Sequence, residues 1–302
     1  MRRNAKVKKA AWVVVGCLTI GAFLLFTGRH AWQKDGVERH IRVKTVHYRY
    51  LIRNSTDQPV PEARFFVRAP ARLTGTQECL RIESSHSHEI ATDASGGQVL
   101  EFTFANFPPY ASKTISIRAT LSLASVPTET LEADPRRFSA PMTGDDAQGD
   151  RIRQLAARLK SKRVSDTASN IYRWVADNIE YTGYSSKAKG AARTFVDRQG
   201  DCTEFADLFV ALSRAVGIPA RRVSGYYAPD TNILKPMNSH DWAEFYEDGA
   251  WRIADPQQRN FNDRYSEYIA TKIYAPVPAS GPFDGFHRFF VHGSGLKVKM
   301  DS

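Results

Sequence analysis

A cysteine, a histidine and an aspartate recur in the second half of this 302-residue chain in settings that suit nucleophilic attack on a carbonyl. Cys202 follows Gly200-Asp201 and directly precedes a stretch with Phe205, Leu208, Phe209, Leu212 and Val216 at three- and four-residue intervals, which predicts an amphipathic helix over roughly 202–216. A thiolate is the reactive form of cysteine, and the exposed N–H groups and partial positive charge of a helix start favour it. Gly200 lets the backbone turn sharply there, and the N–H of Cys202 could donate to an oxyanion formed on a bound carbonyl. Alone, such a cysteine also reads as a small buried apolar residue.

A cysteine nucleophile needs an imidazole that is itself oriented by a third group. The segment 238–256 offers both, in His240 and Asp255. Asp248-Gly249 is the signal for a two-residue hairpin loop between short strands. In that register Glu247 faces Ala250, Tyr246 faces Trp251 and Trp242 faces Asp255. Alternation then sets His240 on the face of Trp242, with Asp255 its diagonal neighbour. A loop one residue longer would send the two to opposite faces. Separately, His240 reads as a loop histidine and Asp255, before Pro256, as a turn residue; jointly with Cys202 they read as a Cys-His-Asp site.

The elements that must position these residues follow from pattern. From 40 to 124 apolar residues alternate, as in Lys44, Val46, Tyr48 and Tyr50 against Val43, Thr45, His47 and Arg49. Turn clusters interrupt the runs, which predicts an antiparallel β-sandwich domain. His86-Ser87-His88 lacks a third ligand and reads as a polar loop. Residues 125–150, rich in Pro, Asp, Thr and Gly, read as a linker. Two helical stretches follow, the second over about 165–180 with Ser165 or Asp166 as N-cap. Past the Cys202 helix, which stops at Gly217 before Pro219, the pattern turns to strands at 220–226, 242–246, 251–254 and 288–291.

The N-terminus carries Arg2, Arg3, Lys6, Lys8 and Lys9 and no acid in nine residues. Residues 10–27 hold no charge and no proline, and as a helix they would span roughly 27 Å, close to a hydrocarbon core. The positive-inside bias predicts a cytoplasmic tail over 1–9, a transmembrane anchor over 10–28 in the inner membrane and everything beyond it extracytoplasmic, that is periplasmic. A cleaved signal peptide is the rival, though no small-x-small site follows the apolar run.

Taken together, Gly200-Asp201-Cys202-Thr203-Glu204-Phe205-Ala206, Ala215-Val216-Gly217-Ile218-Pro219-Ala220-Arg221, Gly225-Tyr226, His240-Asp241-Trp242-Ala243-Glu244 and Trp251-Arg252-Ile253-Ala254-Asp255-Pro256 resemble, in order and spacing, the motifs of the transglutaminase-like superfamily. The resemblance covers about 150–260. It implies an α+β fold: a papain-like transglutaminase core, helices packed on an antiparallel sheet, occupying a catalytic domain at 151–302, preceded here by the sandwich and one N-terminal transmembrane helix. It also implies roles: Cys202 as nucleophile, His240 as base and acid, Asp255 as orienting carboxylate. Trp242, Gln199 and Tyr184 are the candidates for substrate or oxyanion contact. The expected partner is a protein or peptide with a reactive amide, and hydrolysis and amine transfer both stay open.

The net charge of +10 is half explained by the N-terminal cluster, and Arg221-Arg222 has no wider basic run around it, which disfavours nucleic acid. Nothing in the sequence calls for a cofactor or a metal; Asp145, Asp146 and Asp150 lie in the polar linker and do not form a calcium loop. Three cysteines, Cys17, Cys79 and Cys202, are too few for a disulfide framework, with a Cys79–Cys202 bridge the remaining possibility. The alternative function is a catalytically silent binding or assembly factor in the cell envelope on the same fold.

Overall fold

The computed structural model describes residues 40–93, 96–129, 134–141, 147–185, 187–275, 283 and 287–301. The basic tail and the apolar run 10–27, with the anchor expected there, lie outside the described residues. Among the described residues no helix is long and apolar enough to cross a membrane.

The chain opens with β1 (Ile41–Asn54), β2 (Val60–Ala69), β3 (Gln77–Ser84), β4 (Glu89–Thr92), β5 (Gln98–Phe107) and β6 (Ser112–Ala124). A 3-10 turn, Pro135–Ser139, leads to α1 (Ala147–Leu159) and α2 (Val164–Asn178). Then come β7 (Glu180–Tyr181), α3 (Gly190–Asp197), β8 (Gln199–Gly200) and α4 (Cys202–Ala215). The remainder is β9 (Ala220–Tyr227), β10 (Ser239–Glu247), β11 (Ala250–Asp255), β12 (Asn260–Phe261), β13 (Tyr268–Ile273), β14 (Phe289–His292) and β15 (Leu296–Met300).

Two four-stranded antiparallel sheets, in the orders β15-β1-β6-β3 and β14-β2-β5-β4, share one apolar cluster. In β1 the even-numbered residues Val46, Tyr48, Tyr50 and Ile52 are all buried, as a period of two requires. Strands β14 and β15 are the last in the chain, yet they pair with β2 and β1. The strand expected at 288–291 therefore forms, one residue later, and it extends an N-terminal sheet instead of the sheet that carries His240.

That sheet has five strands in the order β12-β11-β10-β9-β13. One face packs Ala220, Ala243, Phe245 and Ala254 against α1, α2 and α4. Its other face packs Val223, Trp242 and Ile253 against Tyr265 and Tyr268. The helix expected at 165–180 starts one residue early, at Val164, and neither Ser165 nor Asp166 caps it. Glu247 at the β10 hairpin does this instead, its Oε1 accepting the Ser165 N–H at 2.7 Å, so a first-turn orphan donor is satisfied across the fold. The Pro- and Asp-rich stretch expected as a linker is anchored by Phe138, fully buried edge-on to the Trp251 ring at 5.2 Å.

Candidate active site

Gly200 and Asp201 set the position of Cys202. A Cβ on Gly200 would sit 2.3 Å from Glu204 Cβ, so only glycine lets the chain enter α4 this closely. Asp201 is the N-cap, its Oδ1 accepting the Thr203 N–H at 2.8 Å. Glu204 returns the bond by accepting the Asp201 N–H at 3.0 Å and holds the Lys189 N–H at 2.8 Å. This reciprocal cap fixes the first turn of α4 and makes Cys202 its first helical residue, whose N–H has no intrahelical acceptor. Cys202 is half-buried, and both it and Cys79 are free thiols, so the bridge between them is absent.

The hairpin between β10 and β11 turns at Asp248 and Gly249, whose φ angles are 49° and 82°, the doubly positive combination that a two-residue loop uses. It pairs Glu247 with Ala250, Tyr246 with Trp251 and Ala243 with Ala254. His240 and Asp255 consequently share a face, and His240 Nε2 lies 2.6 Å from Asp255 Oδ2. Asp255 accepts two further bonds, from the Tyr268 hydroxyl at 2.9 Å and the Gln258 N–H at 3.1 Å. His240 is 5% exposed and Asp255 1%. Trp242, stacked at 6.3 Å, and Tyr268 wall the imidazole.

Burial by itself would lower the pKa of His240. The Asp255 charge and hydrogen bond outweigh it and, together with a hydrogen bond and charge interaction with the Cys202 sulfur, push the imidazole up to about 10. With Nε2 committed to Asp255, Nδ1 is the ring nitrogen left for the sulfur. The arrangement is a protonated ring between two acceptors, able to give a proton to a departing group.

A second tie links the same two elements. Thr203, next to the cysteine, donates through Oγ1 to Asp241 Oδ2 at 2.9 Å, and Asp241 is next to the histidine. Asp241 is buried and also accepts from the Ser224 hydroxyl, with His287 Nε2 at 3.5 Å and Arg222 Nε at 3.8 Å. Burial would raise its carboxyl, but His287, Arg222 and Ser224 hold it well below the usual carboxylate range. Asp207 of α4 pairs with Arg222 at 2.7 Å; burial dominates there and pushes its carboxyl up to about 6.

Cys202 opens onto a cleft of about 660 Å³, bounded by Tyr181, Tyr184, the 236–239 turn, Arg288 and β15. Tyr184 lies on this cleft. Trp242 backs the imidazole at 2% exposure, beneath the surface that a substrate would touch. Gln199 is exposed and donates to Glu180 Oε2 at 3.4 Å, off the cleft lining. Sequence reasoning missed Tyr268, Thr203–Asp241, Tyr181 and Arg288. Only the Thr203 tie left a trace, in that both partners adjoin the singled-out residues.

Residues 153–256 match the family model described as transglutaminase-like superfamily. The chain is 26% identical over 170 residues to a protein-glutamine gamma-glutamyltransferase of Pseudomonas aeruginosa, across 48% of this chain and 25% of that protein. It is 29% identical over 122 residues to an uncharacterized protein of Mycobacterium leprae, across 37% and 43%. The chain thus spans well under half the length of these curated relatives. Among solved structures, a candidate cysteine protease from Cytophaga hutchinsonii superposes with a TM-score of 0.60 at 21% identity, covering 87% of this chain and 92% of that one; this likeness carries the fold. The match to the transglutaminase-like superfamily covers residues 153–256, about a third of the chain, and contains Cys202, His240 and Asp255.

Proposed function

We propose that the protein is a cysteine-nucleophile enzyme acting on amide or peptide bonds through a thioester on Cys202. The observation that carries this reading is the 2.6 Å His240–Asp255 hydrogen bond with Cys202, on an open cleft at the start of α4, interacting with the same imidazole. The Cys202 thiolate attacks the carbonyl carbon, and an oxyanion forms where the Cys202 N–H, which has no intrahelical acceptor, can donate to it. As the C–N bond breaks, the His240 imidazolium gives its proton to the leaving amine and a thioester remains. Neutral His240 then takes a proton from water, releasing an acid, or from an amine, forming a new amide; either restores the thiolate and the imidazolium. Asp255 keeps the ring oriented and stabilises its charged form throughout.

The enzyme is anchored by residues 10–27 in the cytoplasmic membrane, with the catalytic part that begins near 151 and a preceding β-sandwich accessory domain, whose sheets β14 and β15 complete, outside it. The basic cluster before that apolar run supports the orientation. The test is alkylation of Cys202 by iodoacetamide between pH 5 and 7, followed by mass spectrometry of the labelled peptide. Wild type is expected to label rapidly across the range and His240→Ala at least about 100-fold more slowly at pH 6. Equal rates in the two would overturn the reading.

A further inference from the structure

The described lining of the cleft at Cys202 carries two cations and one acid. Arg288 and Lys299 both border it, and among the described residues neither forms an ion pair. Arg288 is fixed at its backbone, where its carbonyl accepts the Arg68 N–H at 2.9 Å, and its guanidinium lies 5.9 Å from the Tyr184 ring. The one acid on the lining is Asp201, and its two oxygens are taken by the Thr203 N–H at 2.8 Å and the Ser185 N–H at 2.9 Å. Asp201 is thus held by main-chain donors rather than by either cation, and the described lining keeps an excess of one positive charge.

Among the described residues the cleft also offers an unpaired strand edge. β15 is the outermost strand of its sheet. Asp301 N–H donates to Arg49 O at 2.9 Å and Ser55 N–H donates to Gly295 O at 3.0 Å. The odd-numbered residues between them therefore bond to β1, so Val298 and Met300, both on the cleft lining, turn their main-chain N–H and C=O groups away from β1. Around this edge stand Tyr181, Tyr184 and Met237, exposed to 52%, 72% and 86%, a concentration of uncovered apolar surface that marks a binding site.

We propose that the acyl donor is an extended acidic peptide that pairs along the free edge of β15 and carries a carboxylate near the reacting amide, held by Arg288 and Lys299. The proposal rests on the thioester reading above and names the substrate class of that same site. Strand addition gives an extended chain main-chain bonds without regard to sequence, and the two cations supply the selectivity.

The test uses the full chain in detergent and two alkylating probes of similar size, neutral iodoacetamide and anionic iodoacetate. The ratio of their rates at Cys202 cancels changes in the thiolate itself and reports the local field. Relative to wild type, the iodoacetate-to-iodoacetamide ratio is expected to fall about 3-fold in Arg288→Gln and in Lys299→Gln and about 10-fold in the double variant, less at high salt. In a second arm, glutamine peptides flanked by Glu protect Cys202 from iodoacetamide better than the same peptides flanked by Lys. That preference is lost in the double variant, and methylating alternate peptide nitrogens abolishes protection. An unchanged ratio in the double variant, or equal protection by Glu- and Lys-flanked peptides, overturns the proposal. Loss of His240-dependent labelling by iodoacetamide would instead overturn the thioester reading, so the two failures are distinguishable.

Discussion

Replacing Asp255 with Asn removes the charge that keeps His240 protonated and leaves a side chain of the same shape. Oδ2 lies 2.6 Å from His240 Nε2, and both side chains are almost fully buried. The folded imidazole titrates near 10, above its ordinary 6.5. A raised value means that the protonated ring stabilises the fold fully below pH 6.5 and that this contribution is lost as pH rises through 10. At pH 7 the difference is worth up to about 4 kcal/mol, at about 1.4 kcal/mol per pH unit. Removing one partner of a buried pair independently suggests about 3–5 kcal/mol. Asp255→Asn is therefore expected to lose about 3 kcal/mol of stability at pH 6, with the gap to wild type closing to about 1 kcal/mol by pH 10.5. Urea unfolding of both proteins at pH 6, 8 and 10.5 measures it. A gap of the same size at all three values would refute the ion-pair reasoning and leave Asp255 a packing and hydrogen-bonding residue only.

Thr203→Val deletes the donor to Asp241 Oδ2 and is expected to cost about 1–3 kcal/mol. It should lower kcat about 10-fold with KM little changed, and Thr203→Ser should restore most of it; steady-state kinetics on a glutamine peptide amide gives the split. Gly225 pairs with His240 on one side and Ala270 on the other, and a Cβ there would lie 1.9 Å from the Ile269 carbonyl oxygen. Gly225→Ala is therefore expected to cost about 3 kcal/mol in urea unfolding and to slow iodoacetamide labelling of Cys202. Phe138→Ala empties a fully buried site against Trp251 and should destabilise by about 3–5 kcal/mol while leaving the labelling rate of the folded protein unchanged.

What could be read from the sequence was what local rules determine. Asp248-Gly249 admits one tight loop, and a tight loop leaves one register, so the shared face of His240 and Asp255 followed from counting residues. The start of α4 at Cys202 was legible because a glycine, a capping acid and a helical apolar period coincide there. Long-range pairing was not legible. Nothing local in Leu296–Met300 says that its partner is β1, some 250 residues earlier in the chain, rather than a neighbour. Tyr268 was missed for a related reason: the bulge between Ala270 and Lys272 sets how β13 lies on β9, and a bulge has no spacing signature. The cap on α2 was assigned to the wrong residues because Glu247, which supplies it, is distant in sequence.

The alternation that makes the hairpin register decisive also explains why two ties, and not one, hold the site. Successive residues of β10 point to opposite faces of the sheet. His240 reaches Asp255, which Tyr268 also holds, on one face, while Asp241 reaches Thr203, at the start of α4, and Ser224 on the other. The imidazole is thus fixed from within its own sheet, and the helix bearing Cys202 is fixed to the same strand one residue along. A bond on one face alone would set the ring's orientation but leave α4 held to the sheet by polar contact farther along, as at Asp207 and Arg222, with more play at the sulfur. With both, Cys202 and His240 are each one nearly rigid peptide unit from the Thr203–Asp241 bond, between 202 and 203 and between 240 and 241. A slip of β10 by one residue would exchange the two faces and break both ties at once, so the active arrangement and the native register are selected together.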